Sequence, residues 1–506
     1  MFLKSLYLVL FCLALTANSK NQLSITAKDV NQALNQTRNA TWRAEENNIF
    51  DQFADKTGPI FGLIEKDISF YRNNLKKYTP RRRVPLAPSL DWRNAVGQNW
   101  ITPVTNQGQC GSCVAFASIA AIEAKYNIEA LSPYYNLNLS EQHLWTCSSK
   151  SCNSGWYLFG GFSAMQSSGT PDESCFPYIS GNMGADFSCS QTCTNSESRK
   201  YKIKDYTSIG TYWGNASLDE IKQALIEGPV IASMTVYEDF MYYKSGVYKH
   251  TTGNRLGGHA ITIIGYNDSD NAFIVKNSWG ADWGENGFFR ISYSDNSSNI
   301  TQQVIVPHIE KPKGFISFIN PSSFGMFVEN QITLQAINTY TFPVEMTAYL
   351  ANHGETQPLG SIPLDTLDNS NFATTFDTST LENGVYDLWL EGRSNSVSNI
   401  KSAYTTIFVI NEEPQISLVL TKLNTKEKDA VYFSLECKDY SVPLKNIEML
   451  LTGPNLYKVI TLDSPCPKME FGYNAKNFES GKFNLVGTGF IGTTYTFKTN
   501  IVEFDN

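Results

Sequence analysis

The chain predicts an α+β domain followed by two small all-β sandwiches, and three observations carry that expectation. From Cys113 onward, Phe116, Ala117, Ile119, Ala120, Ile122 and Tyr126 recur at helical spacing with no glycine or proline among them, so the segment reads as a buried helix. Gly257-Gly258-His259-Ala260 opens the strand-like run Ile261 to Gly265. Beyond residue 315 apolar residues alternate: Ile332, Leu334 and Ala336; Tyr386, Leu388 and Leu390; Ile416, Leu418 and Leu420; Val431, Phe433, Leu435 and Cys437. Period two means strands with one face buried.

Taken in order, Met1 to Ser19 holds one lysine, an apolar run from Leu6 to Leu15, and the small residues Ala17 and Ser19 where a signal peptidase would cut. A membrane anchor needs about 20 apolar residues and this run is half that, so residues 1–19 read as a cleaved secretory signal. No later stretch is long and apolar enough to span a bilayer. Asn-X-Ser/Thr sites at Asn35, Asn39, Asn138, Asn215, Asn267, Asn296 and Asn299 suit a glycoprotein on a lumenal route.

Residues 20–87 are basic, with twelve Lys/Arg against seven Asp/Glu, whereas 88–506 hold 27 against 41. Opposite net charges, +5 and -14, suggest that residues 20–87 lie on the rest of the chain. The basic segment ends in Lys76-Lys77 and Arg81-Arg82-Arg83, an exposed and cleavable connector. For the whole chain 40 Lys/Arg against 48 Asp/Glu give -8, which excludes nucleic acid as a partner. At 506 residues, about 150 per domain, some three domains are expected. Cysteine, glycine and aromatic residues concentrate in 88–310, where the chemistry is expected. Pro307 to Gly314 reads as a hinge into two β-sandwiches, 315–411 and 412–506. Gly384 to Gly392 and Gly481 to Gly489 share glycine, aromatic and leucine positions 97 residues apart, a short repeat between the two.

Ten cysteines minus Cys12 of the signal leave nine, so one is unpaired or pairs outside the chain. Cys437 and Cys466, each far from the others, are expected to pair. Cys113, in the first turn of its helix, would have its thiolate favoured by unpaired backbone N–H groups. A thiolate nucleophile needs a base, an orienter for that base, and donors for the developing oxyanion. Of five histidines, His259 has glycines that admit close backbone approach and a strand for a rigid mount, although such a residue is often only core. Lys276-Asn277-Ser278-Trp279-Gly280 supplies an amide to hold the imidazole and an indole to shield that bond.

Asn106-Gln107-Gly108-Gln109-Cys110-Gly111-Ser112-Cys113, Gly-Gly-His-Ala and Lys-Asn-Ser-Trp-Gly, in that order, resemble the papain-like cysteine peptidases, the family of papain and the lysosomal cathepsins. His259 and Asn277 lie 146 and 164 residues beyond Cys113. The resemblance covers 88–310 and implies a fold of two lobes, one helical and one β-barrel-like. It implies Cys113 as nucleophile, His259 as its ion-pair partner, Asn277 as orienter and Gln107 as oxyanion-hole donor. Gly155 would pair with substrate backbone, beside Ser154, with Trp279 at the site and Gln303 near the floor of the S2 pocket. The stretch around Cys175-Phe-Pro-Tyr178 is closest to the cathepsin B-like branch and implies the disulfides Cys110–Cys152, Cys147–Cys189 and Cys175–Cys193, leaving Cys113 free.

Two departures stand out. Val114 replaces an aromatic residue, and no histidine lies between Cys175 and Cys189, so the occluding loop behind cathepsin B's dipeptide removal is absent and an endopeptidase is expected. Thr41 to Phe50 resembles the short cathepsin B-type propeptide, implying a zymogen inhibited by its own residues 20–87. Expected partners are peptide or protein substrates, plus an unidentified ligand of the β domains; neither metal nor cofactor is called for. The expected location is the secretory pathway, ending in a lysosome or vacuole or outside the cell. The competing reading is a catalytically weak or inactive binding or adhesion protein working through its β domains.

Overall fold

The computed structural model describes residues 23–38, 40–47, 61–64 and, with short interruptions that include 211–214, 412–416 and 463–467, 75–505. The 1–19 signal and Cys466 lie outside the described residues.

The helix Cys113–Glu129 is apolar on every side and is buried accordingly, its N-terminal residues among Trp156, Phe162, Ala260 and Ile305. Two shorter helices, Glu141–Thr146 and Gly160–Ser167, pack on it. Ser140 starts the first of these by accepting the His143 N–H through its hydroxyl, an N-cap. Three disulfides, Cys110–Cys152, Cys147–Cys189 and Cys175–Cys193, tie the loops of this helical lobe.

Facing it is a nine-stranded sheet. In spatial order it runs Lys76–Lys77, Asp205–Ile209, Val304–His308, Val230–Tyr237, Arg255–Asn267, Ala272–Lys276, Phe288–Ser292, Val247–Tyr248, with Ser89–Asp91 also paired to Arg255–Asn267. The 13-residue strand Arg255–Asn267 packs against the Cys113 helix, and Thr262 Oγ1 donates to the helix carbonyl of Ala117 at 3.1 Å. On its far side an aromatic core gathers Phe240, Tyr243, Tyr248, Trp279, Trp283 and Phe289.

Residues 23–47 dock on that lobe. Thr26 and Asp29 form a capping box that starts the helix Ala27–Gln36. Trp42, 5% exposed, lies 5.1 Å from the Tyr248 ring and donates its indole N–H to Lys249 O at 3.0 Å. Arg43–Ala44 pairs antiparallel with Tyr243–Ser245.

The hinge expected over Pro307 to Gly314 begins later than that. Pro307 and His308 belong to the strand Val304–His308, opposite Tyr206 and Asp205. The neighbouring strand on the other side pairs only with Val304 and Ile305, so the N–H that proline lacks has no partner there to lose.

After residue 310 every described element is a strand. Gln331–Asn338 buries Ile332, Leu334 and Ala336, and Gly384–Arg393 buries Leu388 and Leu390, in one core shared by a four-stranded and a six-stranded sheet. Strands from Ser417 to Asp505 form a three-stranded and a five-stranded sheet, in which Lys482–Ile491 occupies an inner position as Gly384–Arg393 does in the six-stranded sheet. The region thus has β-rich content throughout, beside a mixed α+β domain.

Candidate active site

Cys113 is the first residue of its helix, fully buried, and the free cysteine among the described residues. Across from it His259 sits in the strand Arg255–Asn267, also fully buried. His259 Nε2 lies 2.8 Å from Asn277 Oδ1. The same oxygen accepts the Ser278 N–H at 2.9 Å, which identifies it as the carbonyl end of the amide, so Nε2 is the ring nitrogen that carries the proton. His259 Nδ1 is buried with no hydrogen-bond partner. Trp279 stacks on the imidazole, centroids 4.9 Å apart, and shuts water away from the His259–Asn277 bond.

Gln107 is fully buried and held from several sides. Its N–H donates to Ser278 O at 2.9 Å, its Oε1 accepts Ser278 Oγ at 2.6 Å, and its Nε2 donates to Cys110 O at 3.0 Å. These contacts join Gln107, Ser278, Asn277, His259 and Trp279, and Cys113 shares a buried cluster with Ala260, the residue after His259. Gly155 has φ +63°, a backbone conformation suited to glycine, and lies against Gly62, whose carbonyl oxygen a Cβ there would meet at 2.5 Å. Ser154 is exposed, and its hydroxyl turns back to Ser151 O at 3.0 Å. Gln303 is buried one strand away from the His259 strand, its carbonyl accepting the N–H of Ser233, which is opposite Ala260.

Residues 61–64 run through the cleft. Gly62 O accepts the Trp156 N–H at 2.7 Å, Ile64 N donates to Trp156 O at 2.8 Å, and Leu63 N donates to Gly258 O at 3.2 Å. A Cβ on Gly62 would fall 1.6 Å from Gly111 O, so only glycine passes this close to the Cys113 loop. Phe61 meets the edge of Trp279, and Leu63 is buried in the cluster that holds Cys113.

This burial sets the protonation states. Desolvation pushes the Cys113 thiol up to about 11, against weaker opposing hydrogen bonds from backbone N–H groups including Ala260 and Gly62. It also pulls His259 down to about 4, with the Asn277 hydrogen bond opposing. With the cleft filled, both groups are neutral at pH 7. Behind the site lies a buried carboxyl cluster. Burial raises Glu123 to about 7 and raises Glu141 and Glu173, while Lys276 is lowered to about 8, its ammonium donating to Thr102 O at 2.8 Å.

Residues 86–308 match the family model for the papain family cysteine proteases. "Cathepsin B-like CP3" of Giardia intestinalis is 33% identical over 304 residues, covering 58% of this chain and 97% of that protein. The chain belongs to the papain family of cysteine proteases. A second Giardia intestinalis relative, "Cathepsin B-like CP2", is 32% identical over the same shares. Among solved structures, "proCathepsin B S9 from Trypanosoma congolense" aligns with TM-score 0.47 at 23% identity, over 56% of this chain and 99% of that one. The family's cysteine-type peptidase chemistry thus comes with this chain, which carries a further β-rich region.

Three contributors escape a reading of motifs alone. Phe61-Gly62-Leu63-Ile64 is an apolar island with one glycine inside a polar segment, a visible signal. Ser278, within the Lys-Asn-Ser-Trp-Gly block, is the hydroxyl that aims Gln107. Tyr178 donates its phenol to Gln107 O at 2.9 Å and meets Ser112 Oγ at 2.6 Å, a link that sequence spacing does not announce.

Proposed function

We propose that the chain is the precursor of an endopeptidase that cleaves peptide bonds through Cys113. The observation that carries this reading is the orientation of His259. Nε2 is committed to Asn277 Oδ1, which leaves Nδ1 as the nitrogen without a partner, and Ala260, the next residue, shares a buried cluster with Cys113, a cysteine kept out of the disulfides. Once the cleft is open to water, the desolvation that holds both groups neutral is relieved, and the Cys113 proton passes to His259 Nδ1.

The thiolate attacks the scissile carbonyl carbon. The oxyanion so formed is held by Gln107 Nε2 and the Cys113 backbone N–H, at an unpaired helix N-terminus. Collapse of this intermediate breaks the C–N bond, the leaving amine takes the proton from His259, and a thioester remains. Water then attacks the thioester, giving its proton to His259, and Cys113 is released. Gly155 presents backbone to the substrate, and Ser154 and Gln303 border the specificity pockets.

In the unprocessed chain Phe61 to Ile64 fills the place of substrate, and residues 20–87 act as inhibitor. The site of removal lies between Arg81 and Pro88. Among the described residues Arg81 is the basic side chain of this segment that pairs with acids beyond residue 88, at 2.9 Å from Glu129 and 3.8 Å from Glu227. Residues 1–19 direct secretion to a lysosome, vacuole or the exterior, 88–310 form the peptidase domain, and 315–411 and 412–506 form two sandwich domains. An internally quenched peptide tests the assignment: with residues 20–87 removed the chain cuts it, and Cys113→Ala treated in the same way does not. Equal turnover by the two would refute it.

A further inference from the structure

The β region beyond residue 314 is in contact with the helical lobe, and the contact is charged and buried. Arg199 lies in the helical lobe, its side chain 2% exposed. It donates through Nε to Asp172 Oδ2 at 2.7 Å, and through Nη2 to Asp172 Oδ1 and to Ser174 Oγ. Its third face is supplied by the β region. Asp387, on the strand Gly384–Arg393 and fully buried, is held by His353 Nδ1 at 3.0 Å and Thr406 Oγ1 at 3.2 Å and approaches Arg199 Nη1 to 3.9 Å, a charge contact without a hydrogen bond, and the Tyr404 ring covers the guanidinium with its centroid 3.7 Å from Cζ. Buried charges of this kind are placed where partners fix them.

What Arg199 fixes leads to the active site. Asp172 and Ser174 flank Glu173, whose Oε1 accepts the Tyr178 N–H at 2.6 Å. Tyr178 in turn bridges Gln107 O and Ser112 Oγ, the backbone of the oxyanion donor and the residue immediately before the Cys113 helix. Its ring stands edge-on to Phe116 of that helix, 4.7 Å between centroids. An independent second path joins the same two bodies: Phe315 packs on Tyr135 at 4.6 Å, and Tyr135 stacks on Tyr126 of the Cys113 helix at 5.4 Å.

We propose that the first β domain is a positioning element of the peptidase, acting through Asp387, Arg199 and Asp172 to hold the 172–178 turn, so that Tyr178 keeps Gln107 and Ser112 in register. Tyr178 is a positioning residue, since it touches the loop and no reacting atom. This inference rests on the assignment of Cys113 as nucleophile and goes beyond it. Extra domains become part of catalysis here by supplying the outer face of a buried clamp, a contiguous network with defined partners.

The test is a double-mutant cycle on chain retaining residues 88–506 after removal of 20–87, with kcat expressed per thiol titrated by an irreversible epoxide so that inactive protein divides out. Tyr178→Phe lowers kcat about tenfold and Asp387→Asn about threefold, each with KM changed less than about twofold. The double variant falls about tenfold, not thirtyfold, because both changes cut one path. Tyr404→Leu, which removes no buried charge, replaces Asp387→Asn if that chain fails to fold, and is expected to give the same pattern. Arg199→Lys, which keeps the charge and loses the fork, is expected to recover only part of kcat. Effects that multiply, or full kcat in an activated chain that has shed residues 315–411, would overturn the proposal. Wild-type turnover that persists in Cys113→Ala would instead bring down the assignment beneath it, so the two failures are separable.

Discussion

Replacing Leu63 by aspartate should unmask the thiol without cutting the chain. Leu63 is 7% exposed within the cluster that holds Cys113, Trp156 and Ala260. Burying such a side chain contributes about 2 kcal/mol, and seating a carboxylate there costs several more, so the 61–64 segment leaves the cleft. In the filled cleft a thiol near 11 is ionised to about one part in ten thousand at pH 7, against about 1% for an unburied thiol at 9.0. Alkylation of the intact precursor by iodoacetamide is therefore expected at least about 100-fold slower than that of a free cysteine, rising tenfold per pH unit. In Leu63→Asp the ion pair with His259 forms, and labelling at pH 7 exceeds the free-cysteine rate. Mass spectrometry of the Cys113 peptide, on chains shown to be uncut by gel, reads both rates. Equal labelling of wild type and Leu63→Asp, or a wild-type precursor as reactive as a free thiol, would refute the reasoning.

The same geometry sets further outcomes. Gln107→Ala removes a donor oriented by Ser278 and is expected to lower kcat by about a hundredfold, about 3 kcal/mol, with a smaller change in KM, in steady-state assays. Glu123 is raised from 4.5 to about 7 by burial, so its folded form binds the extra proton and the stability this gives is lost as pH rises from 4.5 to 7. Glu123→Gln, neutral throughout, should therefore gain on wild type between pH 4.5 and pH 8 by up to about 3 kcal/mol in denaturant titrations; a difference independent of pH contradicts this. Trp42→Ala opens a cavity against Tyr243 and Tyr248 and should weaken docking of residues 23–47 by about 3 kcal/mol, seen as faster processing at neutral pH.

The helix after Cys113 was legible because its apolar residues continue on every face, and the strands beyond 315 because period-two alternation survives wherever one face is buried. His259 and Asn277 were legible through local blocks whose glycine and tryptophan neighbours have a physical purpose. Pro307 was misleading, since a proline in a strand depends on which neighbour needs its N–H, and that neighbour is set by sheet order. Arg199 and Asp387 lie 188 residues apart and Tyr178 touches Gln107 across 71; no periodicity links such pairs, because only the tertiary fold brings them together. Which segment fills the cleft was hidden for a similar reason. Phe61 to Ile64 shows in the sequence as an apolar island, but its backbone bonds to Trp156 and Gly258 and the close passage of Gly62 by Gly111 are set only by the tertiary fold.

The central claim is that Cys113 is the activated nucleophile and His259 its partner. Chain freed of residues 20–87 should take up one equivalent of a thiol-directed epoxide, mapped by mass to Cys113, with labelling lost in Cys113→Ala and slowed at least a hundredfold in His259→Ala. Labelling elsewhere, or at Cys113 with undiminished rate in the absence of His259, would contradict the account.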